Sequence, residues 1–208
     1  MYTLYYSPGS AAMLVHLMLL EIGAPHVLRA VDLEAGEHRS AAYLALNPHG
    51  KVPTMIVDGA PYAEAAALAM LLTERHPEAH LAPAAGEPAR AAYLQWMFHL
   101  ANALQPAFRL WFYPHEGGGD EAAVKEAARV RIEAEWTRLD AHLGRHGPYV
   151  LGVQLSVADF YATMLMRWSR NMPKPATVWP HLAALAARIK ARPSWARLYA
   201  IEGLTEWA

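Results

Sequence analysis

The groups in this chain able to do chemistry are hydroxyls, imidazoles, carboxylates and amines, because its 208 residues include no cysteine. Disulfides, thiolate metal sites, Cys-x-x-Cys exchange and a cysteine nucleophile are excluded, so thiol chemistry here has to use a thiol that a ligand brings. Three hydroxyls crowd into Tyr6-Ser7-Pro8-Gly9-Ser10. The aromatic and β-branched run from Tyr2 to Tyr6 suits a buried strand, Pro8-Gly9 breaks it, and an apolar helical run starts at Ser10. Ser10 therefore stands at or beside a helix N-terminus, where unpaired N–H groups and the positive end of the helix dipole favour an anion. A serine there either caps the helix or donates a hydrogen bond to a thiolate.

Two more segments bring polar groups to the ends of elements. Asn47-Pro48-His49-Gly50-Lys51-Val52-Pro53-Thr54 reads as a loop entering a strand, with Pro53 at a strand start, where a proline is allowed. Glu64 stands at a helix start, where a carboxylate suits the dipole and equally could hold a ligand ammonium. Phe108, Trp111 and Phe112, at i, i+3 and i+4, share a helix face that is either core or the wall of an apolar ligand pocket. His76 with His80 and His142 with His146 have i, i+4 spacing, but no third ligand stands at a recognisable distance, so no metal is expected. Gly117-Gly118-Gly119 precedes a helix without following a strand, so it is a flexible connection and not a phosphate loop.

The elements that must position these residues change character midway. Before Pro77, strands at Tyr2–Tyr6 and Val27–Val31 flank a helix from Ser10 to Ile22 that Gly23 and Pro25 stop. A short helix at 41–46 follows. Thr54 to Val57 and Ala60 to Tyr62 enclose Asp58-Gly59, a type I′ hairpin signal, and a helix from Glu64 to His76 closes a βαβ, α, ββα pattern. Pro77 to Pro88, rich in proline and small residues, reads as a linker. Beyond it only helices are expected: Arg90–Tyr113, Asp120–His146, one opened by the Ser156-x-x-Asp159 cap, and two more near 181–191 and 194–200. The domains are therefore an α/β unit over 1–78, a linker over 79–87 and an all-helical unit over 88–208.

Composition narrows the function classes. An apolar share of 54% with 18% charged residues is that of a folded globular chain. Residues 1–78 carry four Lys/Arg against eight Asp/Glu and 79–208 carry fourteen against eleven, or −4 and +3, for the net −1. No long basic cluster appears, which argues against nucleic acid. The start of the chain has no basic-then-apolar leader and no run is long enough to span a membrane, so the expected compartment is the cytoplasm.

Taken together the motifs resemble the soluble glutathione transferases over nearly the whole length, which implies a thioredoxin-like first domain and a helical second one. Tyr5-Tyr6-Ser7-Pro8-Gly9-Ser10-Ala11 is similar to the opening of the bacterial beta class, but Ala11 occupies the place of that class's cysteine. A serine directly after Pro-Gly is instead the delta and theta pattern, in which it activates the sulfur; the resemblance thus implies Ser10 as catalytic hydroxyl, with Tyr6 and Ser7 as rivals. Gly36-Glu37-His38 looks like the delta segment whose histidine approaches the glycine end of glutathione. Lys51-Val52-Pro53 resembles the loop in which the residue before a cis-proline pairs with the cysteinyl backbone, and Glu64 matches the acid that holds the γ-glutamyl amine. Ala65 departs from the serine usual after that acid, and a lost hydrogen bond of about 1.5 to 3 kcal/mol implies glutathione affinity roughly ten- to a hundredfold weaker. Gln105 stands where the beta class often has a pocket histidine, and Phe108, Trp111, Phe112 and Trp168 are the implied walls for a hydrophobic electrophile. The likeness implies a detoxifying transferase with glutathione as co-substrate, no metal and a homodimeric state. The alternative is a non-catalytic protein of the same fold that binds ligands or docks a partner; an isomerase would share the same site.

Overall fold

The computed structural model describes residues 1–207. The elements run β1 (Tyr2–Tyr6), α1 (Ala12–Ile22), β2 (His26–Ala30), α2 (Ala41–Leu44), β3 (Thr54–Val57), β4 (Ala60–Ala63) and α3 (Ala65–Arg75), followed by α4 (Arg90–His99), α5 (Gln105–Phe112), α6 (Glu121–His146), α7 (Val157–Trp168), α8 (Pro180–Lys190) and α9 (Pro193–Glu202). They form two compact units: Met1–Ala82 with the chain from Lys190 onward, and Pro83–Ile189.

In the first unit the sheet order is β2-β1-β3-β4, with β1 and β2 parallel and the other pairs antiparallel. A parallel neighbour needs a crossover, and α1 supplies it. Asp58 and Gly59 both have positive φ (52° and 83°), as a type I′ hairpin requires. Ala12 to Leu20 of α1 are all buried. A helix apolar around its whole circumference needs cover on every side, and β1, α3 and α9 provide it. Here the structure departs from the expected division: α9, with Trp195, Leu198 and Tyr199 buried, packs on α1 and belongs to the first unit, although the sequence places it in the second.

The second unit is helical. The single helix expected over 90–113 is interrupted by a π turn at Leu100–Leu104. Pro106 has no N–H to offer the carbonyl four residues back and its ring crowds that carbonyl, so the helix widens just before it. Asp120 caps α6 by accepting the Ala122 N–H at 3.1 Å. The Asp159 carboxyl, fully buried, accepts from the N–H groups of Ser156 (2.8 Å) and Val150 (2.7 Å) and from the Ser156 hydroxyl (3.0 Å), fastening the start of α7 to the loop before it. Burial pushes that carboxyl up to about 6 against the pull of these donors. Among the described residues no helix is long and apolar enough to cross a membrane, and no three His, Cys, Asp or Glu side chains gather as a metal site.

Candidate active site

Sheet register decides which residues meet. Tyr5 of β1 lies opposite Thr54 of β3, and Thr54 lies opposite Ala63 of β4. One step beyond this row come Tyr6, Pro53 and Glu64, because β3 runs against both of its neighbours. The exit of β1, the entry to β3 and the exit of β4 therefore share one end of the sheet, and the N-termini of α1 and α3 open onto the same end.

Ser10 sits just before α1. Its Oγ accepts the Ala12 N–H at 3.2 Å and donates to the Ser7 carbonyl at 2.6 Å. The same carbonyl also accepts the Ser10 N–H at 3.2 Å. The hydroxyl proton can therefore turn to another acceptor while Ser7 keeps a donor. Tyr6, half-buried at the end of β1, has its phenol held above the ordinary range, first by burial and then by the charge of Glu202, so it stays protonated and keeps its proton to donate.

The loop from Asn47 to Pro53 is tied down from beneath. Asn47 Nδ2 donates to the Lys51 carbonyl at 2.8 Å and to Thr54 Oγ1 at 3.1 Å, Asn47 Oδ1 accepts the His49 N–H at 3.1 Å, and the Tyr43 hydroxyl donates to the same Lys51 carbonyl at 2.8 Å. The Val52–Pro53 peptide is cis. Lys51 is exposed and Pro53 buried, while the N–H and C=O of Val52 have no hydrogen-bond partner among the described residues. Backbone polar groups left this way invite an extended ligand to pair with them. His38 lies beside this loop: a Cβ on Gly50, itself at φ +57°, would stand 3.0 Å from the His38 carbonyl. The His38 ring accepts from Arg39 Nε at Nε2 (3.3 Å), and its Nδ1 is buried without a partner among the described residues.

Glu64 has φ 72° and ψ 105°, a left-handed-side conformation rare for a residue with a side chain, and its carboxylate makes no cap bond although it precedes α3. Such backbone strain costs about 1 to 3 kcal/mol and gathers at functional sites. The carboxylate accepts nothing among the described residues, and the N–H of buried Ala65 lies in the first turn of α3, where helix amides lack internal acceptors.

In the second unit Phe108 is buried at the centre of an aromatic group, with Phe112 at 6.2 Å, Trp168 at 5.8 Å and Trp136 at 6.1 Å between ring centroids. Phe112 is 47% exposed, so this group reaches the surface. Trp111 does not join it and instead lies under the ammonium of Lys125 at 4.6 Å. Gln105 accepts from the Tyr161 hydroxyl.

Residues 4–80 match the glutathione S-transferase N-terminal domain family and residues 102–197 the corresponding C-terminal domain family. Glutathione S-transferase GST-4.5 of Xanthomonas campestris is 30% identical over 81% of this chain and 82% of its own. The chain belongs to the glutathione S-transferase family. Among solved structures, the beta-class glutathione S-transferase of Sphingomonas chungbukensis and a sphingomonad glutathione S-transferase complexed with glutathione are each 30% identical to this transferase. Each match covers 98% of this chain and 100% of the other, with a TM-score of 0.86.

Several residues that shape this transferase's site carry no local sequence signal. Tyr43 and Thr54, which hold the Lys51 loop, look like ordinary helix and strand residues, and Asn47 reads only as a helix stop before Pro48. Glu202 accepts the Gly9 N–H at 2.9 Å across 193 positions of sequence.

Proposed function

We propose that this glutathione transferase ionises the thiol of bound glutathione at Ser10 and directs the thiolate at an electrophilic carbon of a hydrophobic second substrate. The observation that carries the reading is the meeting, at one end of the sheet, of the Ser10 hydroxyl, the unpaired Val52 backbone and the unpaired Glu64 carboxylate. Val52 pairs with the cysteinyl backbone, Glu64 takes the γ-glutamyl ammonium, and the Ala65 N–H takes the neighbouring carboxylate. Lys51 and His38 lie toward the glycine end. Phe112 and Trp168 furnish apolar surface for the electrophile, while Phe108, fully buried, packs against both rings and offers no surface of its own. Trp111, drawn to Lys125, contributes less.

The energetics close. A thiol of pKa about 8.5 is about 3% ionised at pH 7, and lowering it by about two units asks for about 2.7 kcal/mol. A hydrogen bond to a charged acceptor contributes about 1.5 to 3 kcal/mol and a helix N-terminus up to about 1 to 2. Turning the Ser10 proton from the Ser7 carbonyl to the sulfur, next to the first amides of α1, is sufficient. The thiol proton leaves to solvent, the carbon–sulfur bond forms, and the leaving group departs or the strained ring or double bond takes the electrons. The family likeness supports the wider setting of the same reading: a cytoplasmic homodimer working in detoxification, with no metal ion.

The test compares Ser10→Ala with Tyr6→Phe, reading turnover of a halonitroaromatic substrate and the ultraviolet absorbance of bound thiolate. Ser10→Ala should lower kcat by about 10² or more while glutathione binding stays within about tenfold, as for loss of one transition-state donor. Unchanged turnover in Ser10→Ala would move the role to Tyr6 or Ser7.

A further inference from the structure

Glu202 is the last residue of α9, the helix end at which the dipole disfavours negative charge, and its side chain is 0% exposed. A carboxylate persists in such a place only through its partners. Oε2 accepts the Gly9 N–H at 2.9 Å, and Oε1 meets His16 Nδ1 at 2.7 Å. Gly9, at φ +71°, is the most permissive residue of the turn that carries Ser10, and His16 stands on α1 with its ring 5.8 Å from that of Tyr6. Docking of α9 on α1 does not depend on this contact alone. A separate tie holds the other end of α9, where Glu21 accepts from Arg192 Nε at 2.9 Å and from the Ser194 hydroxyl.

We infer that Glu202 is a positioning residue: by holding the Gly9 N–H and His16 together it fixes the Pro8-Gly9 turn, so that the Ser10 hydroxyl meets the sulfur. This rests on the assignment of Ser10 as the activating hydroxyl. The bond runs from the distant end of the chain to the residue adjoining Ser10, and the same carboxylate grips the helix that Ser10 opens. A displacement of the turn by about 1 Å suffices to cost about a hundredfold in rate without disturbing groups that bind the rest of the ligand.

The test uses Glu202→Ala, Glu202→Gln, Glu202→Asp, Ser10→Ala and the Ser10→Ala/Glu202→Ala double variant in the full chain, with glutathione and a halonitroaromatic substrate. Glu202→Ala should lower kcat about 10- to 100-fold with the Kd for glutathione within about threefold. Glu202→Gln, which keeps an oxygen for the Gly9 N–H, should recover most of the rate, and the double variant should be no slower than Ser10→Ala within about threefold. Should Glu202→Ala fail to fold, Glu202→Asp carries the test, since its shorter arm cannot reach both partners and should lose about tenfold in kcat. Losses that multiply in the double variant, or a raised KM with intact kcat, overturn the inference. A slow Ser10→Ala beside a fully active Glu202→Ala or Glu202→Asp refutes the positioning role alone, whereas a fully active Ser10→Ala removes the Ser10 assignment first and the positioning role with it.

Discussion

Replacing Ala65 with serine should tighten glutathione binding while weakening the unliganded fold. Ala65 is 4% exposed and opens α3 directly behind the strained Glu64, so a hydroxyl added there has little water to bond. Without ligand it is a buried polar group lacking a dedicated partner, which costs about 1 kcal/mol. With the γ-glutamyl carboxylate seated against the first turn of the helix, the hydroxyl becomes a donor to a charged acceptor, a contribution of about 1.5 to 3 kcal/mol. The Kd measured by titration calorimetry should therefore fall about ten- to a hundredfold. The melting temperature without glutathione should drop slightly, and the rise on adding ligand should grow, because stabilisation follows the ratio of ligand to Kd. A Kd for Ala65→Ser within twofold of the parent would refute the reasoning, by showing that the carboxylate lies elsewhere or that another group already supplies the missing bond.

Two further outcomes follow from the second unit. Burial raises the Asp159 carboxyl to about 6, above the value of about 3.9 in an unfolded chain, so between these values the native protein keeps a proton that the unfolded chain has released. The stability contributed by this titration is fully present below about pH 4 and is lost as pH rises through 6, a swing of about 3 kcal/mol. Asp159→Asn cannot titrate, so urea midpoints should show the parent's advantage over it shrinking from pH 4 to pH 7, and a growing advantage contradicts the assignment. Phe112→Ala should raise KM for an apolar electrophile several-fold in steady-state assays, whereas Trp111→Ala, which removes a ring spent on Lys125, should leave KM within about twofold; equal effects would count against the division of roles.

Much of this molecule is written in short stretches of sequence. The Asp58-Gly59 pair specifies its hairpin, Asp120 and Ser156-x-x-Asp159 specify two helix starts, and the run from Ala12 to Leu20, apolar but for His16, announces a helix buried on every side. Signals of this kind act within one turn or one pair of strands, where covalent spacing already brings the partners together, and so they are readable without a fold. The motif Ser7-Pro8-Gly9-Ser10 likewise locates a candidate hydroxyl at the mouth of α1. What the motif leaves undetermined is how the turn that carries the hydroxyl is held, and there the tertiary structure decides: Gly9 donates to Glu202 across 193 positions of sequence. The side on which α9 packs, the strained backbone of Glu64 and the departure of Trp111 from the other aromatic rings are of the same sort. The packing of α9 on α1 and its hold on Gly9 join groups far apart in the chain, and such contacts are settled only when the elements pack.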